Sequence, residues 1–263
     1  MSTLTHTIDQ IGIQERQAGR VGRALTLLYG LLCYTSFLAA ILYAIGFLGS
    51  WIVPKSIDSG PVGPAGSALV INVLLLALFV LQHTIMARPA FKRWWTRIVP
   101  RSAERSTYVL AASACLALLF WQWRPLPHVL WSLAGPAALA LVALSLSGWA
   151  IVFIASFTIS HLDLFGVRQA WLRYRNRPYT PVGFRLVGLY RIVRHPLMVG
   201  FLIAIWATPV MTVGHLFFAL MTTGYILFGT WMEERDLLAE HGESYRDYKR
   251  RVRGFVPLPK RGA

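Results

Sequence analysis

Acidic residues are scarce in this chain: 11 Asp and Glu among 263 positions, against 26 Lys and Arg. Charged residues of both signs reach only 14%, where soluble domains carry about 25%. That excludes an ordinary water-soluble globule. Cysteine is nearly absent. Cys33 and Cys115 both fall inside apolar runs, so a disulfide framework is excluded and neither has the neighbouring ligands of a metal site. Both read as small buried hydrophobes. There is no internal repeat and no low-complexity tract. No cleavable signal peptide is expected, because residues 1–20 are polar and the first apolar run is too long for a signal h-region.

What is abundant is hydrophobic side chain, at 56% of the sequence. Several stretches run near 20 apolar residues, enough to cross a hydrocarbon core of about 30 Å. The expected fold is all-α: a polytopic transmembrane helix bundle forming a single integral membrane domain over 1–263. Six segments are expected, over 24–49, 67–87, 107–123, 129–158, 197–210 and 215–232. The fifth is too short to span comfortably on its own, and Pro209 and Gly214 suggest a tight helical hairpin with the sixth. The loop 54–66, rich in Gly and Pro, is expected to be flexible and to face outward. After Glu234, the spacing of Leu237, Leu238, Tyr245, Tyr248 and Val252 predicts an amphipathic tail helix on the cytosolic face.

The formal charge of +15 suggests nucleic acid, but its distribution argues otherwise. Residues 1–24, 88–106, 160–195 and 232–263 hold 24 of the 26 basic residues, and the loops between them hold almost none. Alternation of this kind is the positive-inside pattern. It implies both termini on the cytoplasmic side of a bacterial inner membrane, with anionic lipid rather than nucleic acid as the polyanion partner. Oligomeric state is not legible.

The charges also single out one region. In the run from Gly188 to Gly200, Arg191, Arg194 and His195 stand directly before Pro196 and a hydrophobic helix, and Glu233-Glu234 closes the next apolar stretch. Ionisable groups at a membrane face are costly unless paired, solvated or bound to a ligand. A polar pocket at the membrane surface is therefore expected there. Arg191 reads as topogenic, and Glu233 and Glu234 have a competing reading as carboxylates favouring the start of the tail helix.

Here a resemblance becomes specific. Arg194-His195-Pro196, Gly200, Glu233-Glu234, then Gly242-Glu243-Ser244-Tyr245 with Tyr248 and Val252, resembles the isoprenylcysteine carboxyl methyltransferase superfamily over about 185–257. Within it the chain is most similar to the bacterial methanethiol S-methyltransferases. That likeness rests on Leu81-Gln82-His83, His161-x-Asp163-Leu164-Phe165-Gly166, Arg177-Pro178-Tyr179-Thr180-Pro181 and Glu233-Glu234-Arg235-Asp236-Leu237. Two departures stand out. Met198 occupies a position often aromatic in the superfamily, and residues 215–232 lack the arginine that suits a carboxylate acceptor.

The resemblance implies S-adenosylmethionine as methyl donor, bound by the part of the chain over 185–257. It implies a small thiol as acceptor. Tyr190, Arg194, His195, Pro196, Leu197, Gly200, Trp206, Glu233 and Glu234 are the candidate donor-binding residues. Carboxylates such as Glu233 and Glu234 can accept from ribose hydroxyls or the ammonium, and Arg194 can pair with the donor carboxylate. Tyr190, Trp206 and Trp231 offer aromatic faces to a sulfonium, although the two tryptophans have equal standing as interfacial belt residues.

A thiol must lose its proton before it attacks. His83, His161 and Asp163 are the candidate catalytic residues. His161 and Asp163 diverge by about 200° on a continuous helix and meet only if the helix ends there. A His–Asp pair would suit a general base. The competing reading of each histidine is a satisfied polar contact between helices. With His215 they also form a plausible metal set of three histidines and an aspartate, but no ligand pair has compact spacing and no metal is expected. His215 is expected to cap the sixth helix. Other functions left open are methylation of a lipidic or isoprenoid acceptor, a membrane reductase, and an accessory membrane protein of nitrogen-oxide respiration.

Overall fold

The computed structural model describes residues 19–183 and 186–257. Among them are ten α-helices: α1 (Arg20–Gly49), α2 (Ala65–Ala87), α3 (Pro89–Trp95), α4 (Arg101–Gln122), α5 (Gly135–Ile159), α6 (His161–Leu164), α7 (Val167–Tyr174), α8 (Pro196–Trp206), α9 (Val213–His241) and α10 (Glu243–Arg251). Helices α1, α2, α4, α5 and α9 are long and apolar enough to cross a membrane. The protein is an all-α, multi-pass membrane protein.

The fifth crossing departs from the expected helical hairpin. Helix α8 has 11 residues and rises only about 16 Å. The remainder is extended chain ending in a short strand, β2 (Val210–Thr212), which pairs antiparallel with β1 (Val129–Ser132). The fourth apolar segment, expected from residue 129, therefore begins as β1 and becomes helical only at Gly135-Pro136. Gly135 turns the chain at φ 61°, and a proline in the first helical turn starts α5.

Two further expectations are corrected at this end of the bundle. His215 does not cap α9. Thr212 does, its Oγ1 accepting from the His215 N–H at 3.0 Å while donating to Asp58 Oδ1 at 2.5 Å. The buried His215 ring instead reaches the Ile205 carbonyl at 2.8 Å, tying the end of α8 to the start of α9. The loop 54–66 is anchored rather than free in its first part. Ile57 is fully buried, its N–H donates to the Phe47 carbonyl, and its own carbonyl accepts from Trp123 Nε1. Asn72 brackets Arg124, donating to its carbonyl at 2.8 Å and accepting from its N–H at 2.9 Å. Phe47, Ile57, Leu119 and Trp123 form the centre of the hydrophobic core.

Helix α8 packs on α5 through small residues. A Cβ on Gly200 would stand 2.7 Å from the Gly148 carbonyl oxygen, and one on Gly148 would stand 2.5 Å from the Ala204 nitrogen. Without side chains at either position the two backbones touch, and Ser145 Oγ donates to the Ala204 carbonyl at 2.8 Å.

The tail also differs from expectation. Helix α9 runs without a break past Glu233-Glu234 to His241. Gly242 then redirects the chain at φ 54° and ψ −124°, a conformation open in practice to glycine alone. Helix α10 and the extended residues up to 257 fold back as a strap across the N-terminus of α8.

Candidate active site

The chain enters α8 through a 3₁₀ turn over Gly188–Arg191. Pro196 opens the helix and disfavours helical geometry in the residue before it, so Arg194 and His195 stand just ahead of the first turn. Val193 bridges to Arg253 of the strap, and the N–H groups of Arg194 and His195 donate to the Arg253 and Gly254 carbonyls at 2.8 and 3.1 Å. On α9, Glu234 lies about 30 Å along the helix axis from Val213, which brings it to the same face of the membrane.

Glu234 is the centre of the cluster. Its Oε1 accepts from Arg194 Nε at 2.8 Å and Nη2 at 2.6 Å, and lies 3.1 Å from His195 Nε2. Its Oε2 lies 2.6 Å from Lys249 Nζ. The third nitrogen of Arg194 donates to the Val252 carbonyl. The Arg194 and Glu234 side chains are only 9% and 14% exposed, so the pair is largely desolvated and its charges balance within the protein. Arg194 has every nitrogen engaged and none directed outward. Glu233 behaves differently: it is 53% exposed, and the polar contact recorded for it is His195 Nδ1 at 3.7 Å.

Tyrosines close the cluster from the strap side. Tyr245 and Tyr248 are buried, and the Tyr248 hydroxyl donates to the Tyr190 carbonyl at 2.6 Å. Burial, opposed by Arg194 and assisted by Glu234, pushes the Tyr248 phenol up to about 12. It remains a hydrogen-bond donor throughout the physiological range.

Of the residues expected here, the structure brings together Tyr190, Arg194, His195, Pro196, Leu197, Glu233 and Glu234. It does not bring Gly200 and Trp206. Gly200 is committed to the α5 crossing. Trp206 sits at the opposite end of α8, about 15 Å away, where its indole donates to Thr223 Oγ1 at 2.9 Å. Trp231 is exposed and carries the Arg235 guanidinium over its ring at 4.9 Å. Lys249 was not legible as a site residue. Tyr245, Tyr248 and Val252 betrayed a buried face, but a lysine among arginines carries no comparable signal.

The candidate catalytic residues fall in two separate places. His83 lies between α2, α4 and α9: its Nε2 is 2.8 Å from the Tyr108 hydroxyl, Phe79 stacks on it, and Tyr225 meets it edge-on. Tyr225 also contacts Thr84 at 3.3 Å. His161 lies on the other side of α4, against α1. Its Nε2 faces the Tyr34 hydroxyl at 2.9 Å, its Nδ1 faces Ser156 Oγ at 2.8 Å, and its ring stacks on Phe157. Burial lowers its pKa. The helix does end before His161, as a His161–Asp163 pair requires, yet the pair does not form. Asp163 turns instead to Arg168 at 2.8 Å and to the Tyr179 hydroxyl at 3.1 Å. Among the described residues no three His, Cys, Asp or Glu side chains converge as a metal site.

Comparison with known proteins adds the family. The model of the NnrU protein family matches residues 71–242. A methanethiol S-methyltransferase of Mycobacterium tuberculosis is 54% identical over 240 residues, covering 91% of this chain and 98% of that one. Methanethiol S-methyltransferase 2 of Bradyrhizobium diazoefficiens is 52% identical, over 89% of this chain and 91% of the relative. The chain belongs to the methanethiol S-methyltransferase family. A third member, from Pseudomonas deceptionensis, is 48% identical over 94% of each chain. No solved structure matches. The NnrU-matched segment takes in His83, Arg194, His195 and both glutamates of this family member, and stops at Gly242, where the strap begins.

Proposed function

We propose that this protein is an S-adenosylmethionine-dependent methyltransferase of the bacterial inner membrane, with both termini cytoplasmic, that converts methanethiol to dimethyl sulfide. The observation that carries the reading is Glu233: a half-exposed carboxylate beside a cluster in which Arg194 and Lys249 share the single carboxylate of Glu234. Arg194 and Lys249 share the one carboxylate of Glu234, so the charge of Glu233 is what keeps this point from repelling a sulfonium, and its exposed oxygens are available to a ribose hydroxyl or an ammonium. His195 and Tyr190 line the same place. The residues fit the donor, with one change from the sequence expectation. Arg194 has no nitrogen left for the donor carboxylate, and it positions Glu234 instead.

When bound, the donor supplies a methyl group on sulfonium sulfur, which keeps the bonding electron pair when the methyl moves to the thiol sulfur. The protein must bind both partners, exclude water and take the thiol proton. His83 suits the last task, because Nε2 is held by Tyr108 and Nδ1 has no partner. His161 and Asp163 have their polar atoms engaged by neighbours, and both serve to hold α5 to α1 and to the loop that follows.

The test is purified protein in detergent with S-adenosylmethionine and methanethiol, counting headspace dimethyl sulfide against S-adenosylhomocysteine. Equal appearance of both is the expected result. Donor binding with neither product would sink the acceptor assignment.

A further inference from the structure

Between α2 and α4 the chain leaves the bilayer and re-enters it at one face. It is the face of the donor cluster, because Arg88 at the end of α2 pairs with Asp236 of α9 at 3.1 Å. The turns of α3 continue beyond its last residue. The Thr96 N–H donates to the Lys92 carbonyl at 2.9 Å, that of Arg97 to Trp94 at 3.1 Å, and those of Ile98 and Val99 to Trp95 at 3.0 and 2.9 Å. The rings of Phe91, Trp94 and Trp95 contact one another, with centroids 5.3, 5.8 and 5.7 Å apart. A segment wound this tightly around its own aromatic cluster presents its outward side chains in a fixed arrangement.

Those outward side chains are of two kinds. Arg93, Arg97 and Arg101 recur every four residues and are exposed. Beside them Trp94 is 49% and Ile98 66% exposed. Elsewhere on this face Arg88, Arg168, Arg194 and Lys249 each have a carboxylate oxygen within 3.1 Å. Among the described residues Arg93, Arg97 and Arg101 have no ion pair and no side-chain hydrogen bond. Glu104 is the only carboxylate between 88 and 106, and it pairs with none of them.

Three cations without a carboxylate, interleaved with an exposed indole and an exposed isoleucine, do not make a simple solvated charge run. Water satisfies the arginines but not the apolar pair. A phospholipid surface satisfies both: guanidinium groups take phosphate oxygens through paired N–H groups, tryptophan settles at headgroup level, and isoleucine enters the acyl boundary. The two flanking crossings hold the segment at that level. We infer that 93–101 is a docking surface for anionic phospholipid, with Arg93, Arg97 and Arg101 on the headgroup phosphates and Trp94 and Ile98 set between the lipids. Anionic lipid was expected as a partner from the spread of charge over the whole chain; here it has an address. The assignment is independent of the methyl-transfer reading.

The test uses the full chain in bilayer nanodiscs of phosphatidylcholine with or without phosphatidylglycerol. Trp94 emission, isolated as the difference from Trp94→Phe, is followed as brominated forms of either lipid are introduced, and lipids that stay bound are counted by native mass spectrometry. In the wild type, brominated phosphatidylglycerol should quench Trp94 more strongly than brominated phosphatidylcholine. The difference should collapse as salt is raised to about 0.5 M. Arg93→Gln, Arg97→Gln and Arg101→Gln should each weaken phosphatidylglycerol retention by about fivefold. Joint replacement of Arg246, Arg250 and Arg251 of α10 by glutamine makes the same charge change elsewhere and should leave the Trp94 quenching as it was. Equal quenching by the two lipids, insensitivity to salt, or an equal loss in the α10 variant would each overturn the assignment. Bound nucleic acid displacing phosphatidylglycerol from the purified protein would overturn it as well. Should an arginine variant fail to insert, the wild-type quenching and its salt series still decide.

Discussion

Replacing Glu234 by glutamine removes one negative charge and almost no volume, and its effect can be worked from the contacts. In the native protein Oε1 meets three nitrogens of Arg194 and His195, and Oε2 meets Lys249. The amide keeps one acceptor and turns a donor toward a cation. Lys249 is 41% exposed and recovers solvation, so its share of the loss is small. Arg194 is 9% exposed and does not. Removing one partner of a buried ion pair costs about 3–5 kcal/mol, and the residual exposure of Glu234 puts this case near 3. The loss falls on the strap, because Arg194 is the side chain that joins α9 to Val252. About 3 kcal/mol is roughly a hundredfold in the opening equilibrium, read as faster hydrogen exchange in peptides covering 190–196 and 243–254. The long helices should exchange as before. Glu233→Gln is the control: at 53% exposure and 3.7 Å from His195, it should change strap protection by less than about 1 kcal/mol while weakening donor binding. Strap exchange within about threefold of wild type in Glu234→Gln would refute the reasoning.

Other outcomes are expected at three positions. His161→Ala should lower thermal stability by about 2–4 kcal/mol, by leaving a cavity and taking the partner from the Tyr34 hydroxyl, and should leave donor affinity intact; loss of donor binding at full stability would contradict this. Because burial lowers the His161 pKa, the unfolded chain takes the proton more readily. That stability is complete above the unfolded value of about 6.5 and is lost as pH falls below it toward the folded value, so melting curves over this range should depend less on pH in His161→Asn. Gly200→Ala should cost about 2 kcal/mol or more, because its Cβ meets the Gly148 oxygen at 2.7 Å and the Val152 nitrogen at 2.9 Å; a melting temperature equal to wild type would show that the crossing can relax. Trp206→Phe should leave donor affinity unchanged in a titration, and a clear loss would return that residue to the cofactor site.

The spans were legible because bilayer length and an apolar run constrain each other, and each of the five long helices overlaps its expected segment, although α9 runs on to His241. The short fifth segment was recognised as too short, but not what completes it: Val129 to Ser132 reads as part of an apolar run, and only its pairing with Val210 to Thr212 makes it a strand. Single residues fared according to how local their partners are. Arg194, His195 and Glu234 stand at segment ends, where a polar pocket is the economical reading, and they do meet. Their mutual engagement, which takes Arg194 out of reach of a ligand, depends on Lys249 and Val252 from a part of the chain whose path is set by Gly242. His161 and Asp163 failed to pair for a similar reason. Ser156, Tyr34, Arg168 and Tyr179 compete for them, and nothing in a two-residue spacing announces those competitors.

The strap follows the last membrane crossing in the chain, and this sets an order of assembly. Arg194 and Glu234 are in place at the bilayer face as soon as α8 and α9 are inserted. The Lys249 ammonium and the carbonyls of Val252, Arg253 and Gly254 that complete their surroundings are synthesised only afterwards. Insertion and closure of the site are thus separate events in the life of the protein. A truncation placed just before the strap should leave a molecule that is fully threaded through the bilayer and still incompetent, so its abundance in the membrane would say nothing about whether its site has closed.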